Sequence, residues 1–118
     1  MVDQTPRCSM HEDGSKIWRQ GINLHRLDGP AIEYPDGTKF YYQDDLLHRT
    51  DGPAVEFANG VKRWYVAGKR HRTDGPAVEY KNSYTYWYMA GVPYSFDEFL
   101  ELTTISPEDK CMLKLRYG

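Results

Sequence analysis

A heptapeptide recurs three times at a fixed interval, and that interval governs what the chain can fold into. His25-Arg26-Leu27-Asp28-Gly29-Pro30-Ala31, His48-Arg49-Thr50-Asp51-Gly52-Pro53-Ala54 and His71-Arg72-Thr73-Asp74-Gly75-Pro76-Ala77 stand 23 residues apart with no insertion. The same offset relates Glu33, Glu56 and Glu79, then Tyr34, Phe57 and Tyr80, then Trp18, Tyr41, Trp64 and Trp87. Repeats of this length mark folds in which one supersecondary unit stacks on copies of itself, because a single unit cannot bury its own apolar side. About three and a half units fit between residues 8 and 93, the first surviving only as its second half at Asp13-Gly14-Ser15-Lys16-Ile17-Trp18.

Each unit reads as a β-hairpin. Ala31 to Tyr34 is one strand, Asp36-Gly37 is a dipeptide that favours a two-residue turn, and Thr38 to Gln43 returns as a single second strand. Asn59-Gly60 repeats that turn and Asn82-Ser83 is a weaker copy. A second turn follows at Asp44-Asp45, Ala67-Gly68 and Ala90-Gly91. The Asp-Gly-Pro bend belongs at the start of a strand, where proline's missing N–H costs little, and Arg26, Arg49 and Arg72 lie close enough in sequence to hold its aspartates. After Gly91 the signals become helical: a capping box at Ser95-Phe96-Asp97-Glu98, then Ser106-Pro107-Glu108-Asp109 opening a second helix. The expected fold is mainly β: tandem antiparallel β-hairpin repeats in an elongated twisted sheet with a short C-terminal helical cap over its last edge. Residues 1–118 form one domain, with repeats at 8–93 and the tail at 94–118.

Strand alternation divides the second strands between two faces. One carries the column Trp18, Tyr41, Trp64 and Trp87, whose regularity marks it as core. The other carries Phe40, Tyr42, Arg63, Tyr65, Tyr84, Tyr86 and Tyr88, varies from unit to unit, and holds much of an unusual supply of ten tyrosines. Tyrosine offers large contact area with a polar tip and little entropy to lose, so these seven residues are the candidate partner-binding set. The alternative is that the tail helices pack on these tyrosines.

Catalytic and metal chemistry find little support. His25, His48 and His71 would lie roughly 10 Å apart in successive units, too far to share a zinc ion, and Glu33, Glu56 and Glu79 are equally separated and read as a solvated ladder. His-Arg-x-Asp lacks the other elements of a kinase, and Cys8 with His11 lacks a third orienting group. No cofactor and no enzymatic activity are expected. Two cysteines near opposite ends read as free thiols, and the absence of a signal-like or membrane-length apolar run points to a cytoplasmic protein without a membrane partner. The net charge of −2 gives no basic field for nucleic acid, although Arg63 among Tyr42, Tyr65 and Tyr86 would suit stacked single-stranded bases.

The 23-residue period, the hairpin per unit and the close at Trp64-Tyr65-Val66-Ala67-Gly68 resemble the MORN repeat class. The heptapeptide is similar to a MORN-like variant found in small phage and bacterial proteins. Only the glycine and aromatic period matches the standard motif, so lipid binding is not carried over. The resemblance implies a non-catalytic sheet that contacts another macromolecule. The functional expectation is a phage or prophage accessory protein that binds and inhibits a host protein, such as a CRISPR or other defence component, in the host cytoplasm. A single-stranded nucleic-acid module on the Tyr/Arg face is one alternative. A self-assembling protein, a homo-oligomer through sheet edges or tail, is another.

Overall fold

The computed structural model describes residues 5–81 and 84–118. It is mainly β, with fourteen short strands followed by two helices. The first hairpin comprises β1 (Arg7–Met10) and β2 (Lys16–Gln20), followed by β3 (Asn23–Leu24). The next unit contributes β4 (Ile32–Glu33), β5 (Lys39–Phe40), β6 (Tyr42–Gln43) and β7 (Leu46–Leu47). Its successor repeats them as β8 (Val55–Glu56), β9 (Lys62–Arg63), β10 (Tyr65–Val66) and β11 (Lys69–Arg70). The last has β12 (Val78–Glu79), β13 (Thr85–Met89) and β14 (Val92–Tyr94), before α1 (Phe96–Leu102) and α2 (Pro107–Tyr117). The N-terminal unit is therefore a complete hairpin rather than a half, since β1 pairs with β2 from Arg7↔Arg19 to Met10↔Lys16.

One antiparallel sheet runs in the order β1-β2-β4-β5-β8-β9-β12-β13-β14, while β6 with β7 and β10 with β11 form separate two-stranded ribbons. The expected continuous strand from Thr38 to Gln43 is thus broken at Tyr41. There the chain changes partners: the Tyr41 N–H donates to the Ala54 carbonyl at 2.7 Å, and its carbonyl accepts from His48 N–H at 3.0 Å. Trp18 and Trp64 make the same two bonds with Ala31 and His25, and with Ala77 and His71. Ala31, Ala54 and Ala77 have no exposed surface, so nothing larger than a methyl group fits where the long sheet meets the ribbons.

The turn at Asp36-Gly37 is not the two-residue turn the sequence predicts. Asp36-Gly37 sits in a longer loop closed by Gly37 N–H to Tyr34 O and Tyr34 N–H to Thr38 O, with φ +95° at Gly37 only. That is the type I turn with a glycine bulge, since the two-residue type I′ turn needs positive φ at both central residues. Asp36 Oδ1 accepts the Thr38 N–H at 2.9 Å and Asn59 Oδ1 accepts the Val61 N–H at 3.1 Å, which holds the loop. Both central residues are positive instead at the second turn: Asp44 and Asp45 (49°, 64°), Ala67 and Gly68 (49°, 79°), Ala90 and Gly91 (51°, 82°). The expected turn at Asn82-Ser83 lies outside the described residues.

Stacking units lengthwise gives a radius of gyration of 16.4 Å and extents of 49 × 33 × 22 Å, against about 13–14 Å for a compact chain of this length. Among the described residues no helix is long and apolar enough to cross a membrane. The largest core cluster lies at the C-terminal end, where Trp87, Phe99, Leu100 and Leu113 pack together with Met89, Phe96, Ile105 and Tyr117 against them. Both helices start as the sequence predicts: Ser95 and Glu98 form a reciprocal capping box, and Ser106 caps α2 with Pro107 in the first turn. Cys8 and Cys111 are exposed free thiols.

Candidate functional site

The repeated heptapeptide builds scaffold around its arginine. Arg49 Nε donates to Asp51 at 2.9 Å, and its Nη1 donates to the Pro53 carbonyl at 3.1 Å and to Glu56 at 3.2 Å. Its guanidinium lies 4.0 Å from the centre of the Tyr41 ring. Arg26 repeats the arrangement over Trp18 at 4.2 Å and Arg72 over Trp64 at 3.9 Å. A Cβ on Gly29, Gly52 or Gly75 would fall 2.8, 2.9 or 2.6 Å from the arginine Cζ. Glycine is needed there for close approach, not for positive φ. The glutamates are therefore not a solvated ladder: Glu33, Glu56 and Glu79 each meet an arginine and alternate across the sheet with Lys16, Lys39 and Lys62.

The histidines are occupied by the backbone. His25 Nδ1 accepts the Asp44 N–H at 3.0 Å, His48 that of Ala67 at 3.0 Å, and His71 that of Ala90 at 2.8 Å. Each bond reaches the left-handed residue that opens the next unit's second turn and fixes the Nε2–H tautomer. No group of three His, Cys, Asp or Glu side chains among the described residues could hold a metal.

The aromatic column is not uniformly core, as regularity alone suggests. Trp18, Tyr41 and Trp64 are half-buried beneath their arginines, and only Trp87 is fully buried, at 5% exposure. The next arginine in register would be residue 95, where Ser95 instead caps α1. Phe96, Phe99 and Tyr117 cover the Trp87 ring at 4.9, 4.7 and 5.2 Å. The Tyr117 hydroxyl donates to Glu79 at 3.2 Å, in place of a further loop contact, and the Thr103 hydroxyl donates to the Thr73 carbonyl. The tail therefore packs on the Trp face at the last two strands of the sheet, β13 and the edge strand β14.

That placement leaves the opposite face uncovered by the helices. Its central row, read across the sheet, is Ile17, Ile32, Phe40, Val55, Arg63, Val78 and Tyr86. Phe40 contacts Tyr34 and Phe57 edge-on at 6.0 and 5.9 Å and stacks with Tyr42 at 6.5 Å. Burial, and then Tyr34 nearby, raises the Tyr42 hydroxyl above its ordinary range, so it stays a neutral donor at pH 7. Arg63 lies over Phe57 at 5.3 Å, and Tyr80 meets Tyr86 at 5.8 Å. Tyr84 and Tyr86 are the most exposed of the seven candidates, at 66% and 51%. No protein-family model, curated protein or solved structure matches this chain.

The structure brings Arg63, Tyr86 and Tyr88 into one recess of about 120 Å³, while Phe40 and Tyr42 belong to the neighbouring cluster. It adds Arg70, which sequence reasoning passed over. Arg70 Nε donates to the Tyr65 hydroxyl at 3.4 Å and Nη1 to the Tyr88 hydroxyl at 3.2 Å. The Tyr65 bond, first among several causes, raises the Arg70 pKa further. The available signal was its register: the equivalent positions are Leu24 and Leu47. Larger clefts of about 600 and 340 Å³ lie on the Trp face between successive Asp-Gly-Pro loops. They recur one unit apart and are lined by the arginine network already satisfied within the scaffold, so they follow from stacking.

Proposed function

We propose that this chain is a non-catalytic binding protein that docks another protein on its tyrosine face. The observation that carries this reading is the placement of the tail on Trp87, which satisfies the last repeat and leaves Tyr84 and Tyr86 exposed on the other side. Aromatic side chains backed by a rigid sheet lose little entropy on binding, and the variation between units falls on this face. The finer proposal, supported by the MORN-like resemblance, is a phage or prophage accessory protein whose partner is a host protein, such as a defence component. Substituting Tyr42, Tyr65 and Tyr86 by alanine should leave the cooperative unfolding transition in place and abolish partner capture from host lysate. Retained capture would refute the tyrosine-face assignment.

A second reading, single-stranded nucleic acid, is favoured by one observation: Arg63 stands beside Tyr86 and Tyr88 in the same recess. Oligonucleotide titrations at rising salt separate the two, because phosphate contacts make affinity fall steeply with ionic strength. No binding at low salt eliminates the nucleic-acid reading.

A further inference from the structure

Two arginines in one unit occupy positions that are apolar in the others. Arg63 stands where the neighbouring units have Ile17, Phe40 and Tyr86, and Arg70 stands where they have Leu24, Leu47 and Pro93. Within the scaffold each guanidinium lies over an aromatic ring, Arg63 over Phe57 at 5.3 Å and Arg70 over Tyr88 at 5.2 Å. Arg63 pairs across the sheet with Val55 and Val78, which are 2% and 4% exposed. Its Nε is buried with no hydrogen-bond partner, one of three such side-chain atoms among the described residues. Arg70 bonds only neutral tyrosine hydroxyls, and neither guanidinium meets a carboxylate among the described residues. Both line the recess formed with Val78, Tyr80, Tyr86 and Tyr88. A desolvated donor left unmatched is a standing cost to the free protein.

We propose that this recess is an anchor for a carboxylate, the side chain of an aspartate or glutamate on the protein partner, taken between Arg63 and Arg70 and walled by tyrosine. The proposal rests on the reading of the tyrosine face as a docking surface. Charge complementarity selects the occupant. Among the described residues Arg63 and Arg70 are the only cations lining the recess, and Lys16, Lys39 and Lys62 alternate with Glu33, Glu56 and Glu79 on the other face. Two guanidiniums with no basic track beyond them suit one planar carboxylate, not a polyphosphate chain.

The test uses the intact chain and small probes, so it needs no identified partner. The Nε–Hε resonances of Arg63 and Arg70 and the backbone amide resonances of Val78 and Tyr86, which report in both variants, are followed by NMR during titration with N-acetyl-aspartate N-methylamide, with the neutral asparagine analogue, and with inorganic phosphate. Saturable shifts with the aspartate probe only, weakened at least tenfold in Arg63→Phe and in Arg70→Leu, are expected. Both variants install residues that other units carry, so their melting temperatures should equal or exceed the parent's. No saturable shift with either anion overturns the site, and tighter binding of phosphate overturns the carboxylate assignment. A clear loss of melting temperature in Arg63→Phe marks the arginine as structural and also overturns the proposal. If the tyrosine variants lose capture while Arg63→Phe and Arg70→Leu keep it, the docking face stands and the anchor falls.

Discussion

Replacing Gly52 by alanine tests whether the repeated glycine exists to admit an arginine. A Cβ there would stand 2.9 Å from Arg49 Cζ and 3.1 Å from Nη1. The guanidinium is held by the Tyr41 ring, 4.0 Å from its Cζ, and by the part-buried Pro53 carbonyl and Glu56. Relieving the contact shifts it away from these partners. An orphaned carbonyl costs about 1–3 kcal/mol and the lost cation–π contact about 0.5–2 kcal/mol, so the loss should be about 2–4 kcal/mol. For a domain of this size that lowers the melting temperature by about 8–16 °C, readable by circular dichroism. Gly60→Ala supplies the contrast, since nothing lies within 4 Å of its Cβ and only the φ of +94° resists, at about 1–2 kcal/mol. The decisive measurement is the double variant Arg49→Leu with Gly52→Ala, which should match Arg49→Leu alone within about 0.5 kcal/mol. A full alanine penalty in the absence of the guanidinium would refute the reasoning.

Three further outcomes follow from the same geometry. His48→Ala should cost about 1 kcal/mol by freeing the Ala67 N–H, and Ala67→Gly should recover about 0.5–1 kcal/mol by removing left-handed strain, both measured by urea unfolding. Trp87→Ala should cost about 3–5 kcal/mol and open residues 94–118 to limited proteolysis, because Phe96, Phe99 and Tyr117 lose their common surface. Asp13 and Asp36 are held below the ordinary carboxylate range chiefly by the Ser15 and Thr38 N–H groups they accept. Their contribution is complete above the unfolded value of 3.8 and is lost as pH falls through the lower folded values. Asp13→Asn with Asp36→Asn should flatten the acid limb of a stability profile, as Asn59 fills the same place without a titrating group.

Much of the fold was legible in the sequence, because the period, the turn residues and the helix caps are signals carried within a few residues of the chain. The capping box at Ser95 and the cap at Ser106 needed no tertiary information. The turn at Asp36-Gly37 was misassigned because the same dipeptide serves a two-residue turn and a bulged loop, and the bonds that select the loop, among Tyr34, Asp36, Gly37 and Thr38, depend on φ rather than on residue type. Arg63, Tyr86 and Tyr88 share one recess and Phe40 stacks with Tyr42, yet this grouping was not readable: Arg70 enters from the ribbon strand β11.

By itself the sequence determined that a 23-residue hairpin would be stacked along one axis and that its loudest motif would be architectural. The spacing alone keeps equivalent side chains apart. Only the tertiary structure decided which face stays open. The bonds that made that choice span units: His25 to Asp44 across 19 residues and Tyr117 to Glu79 across 38. Such contacts depend on how one hairpin sits on the next and on where the tail folds back. The tail settles on Trp87 because that ring, alone in its column, has no following arginine to lie over it.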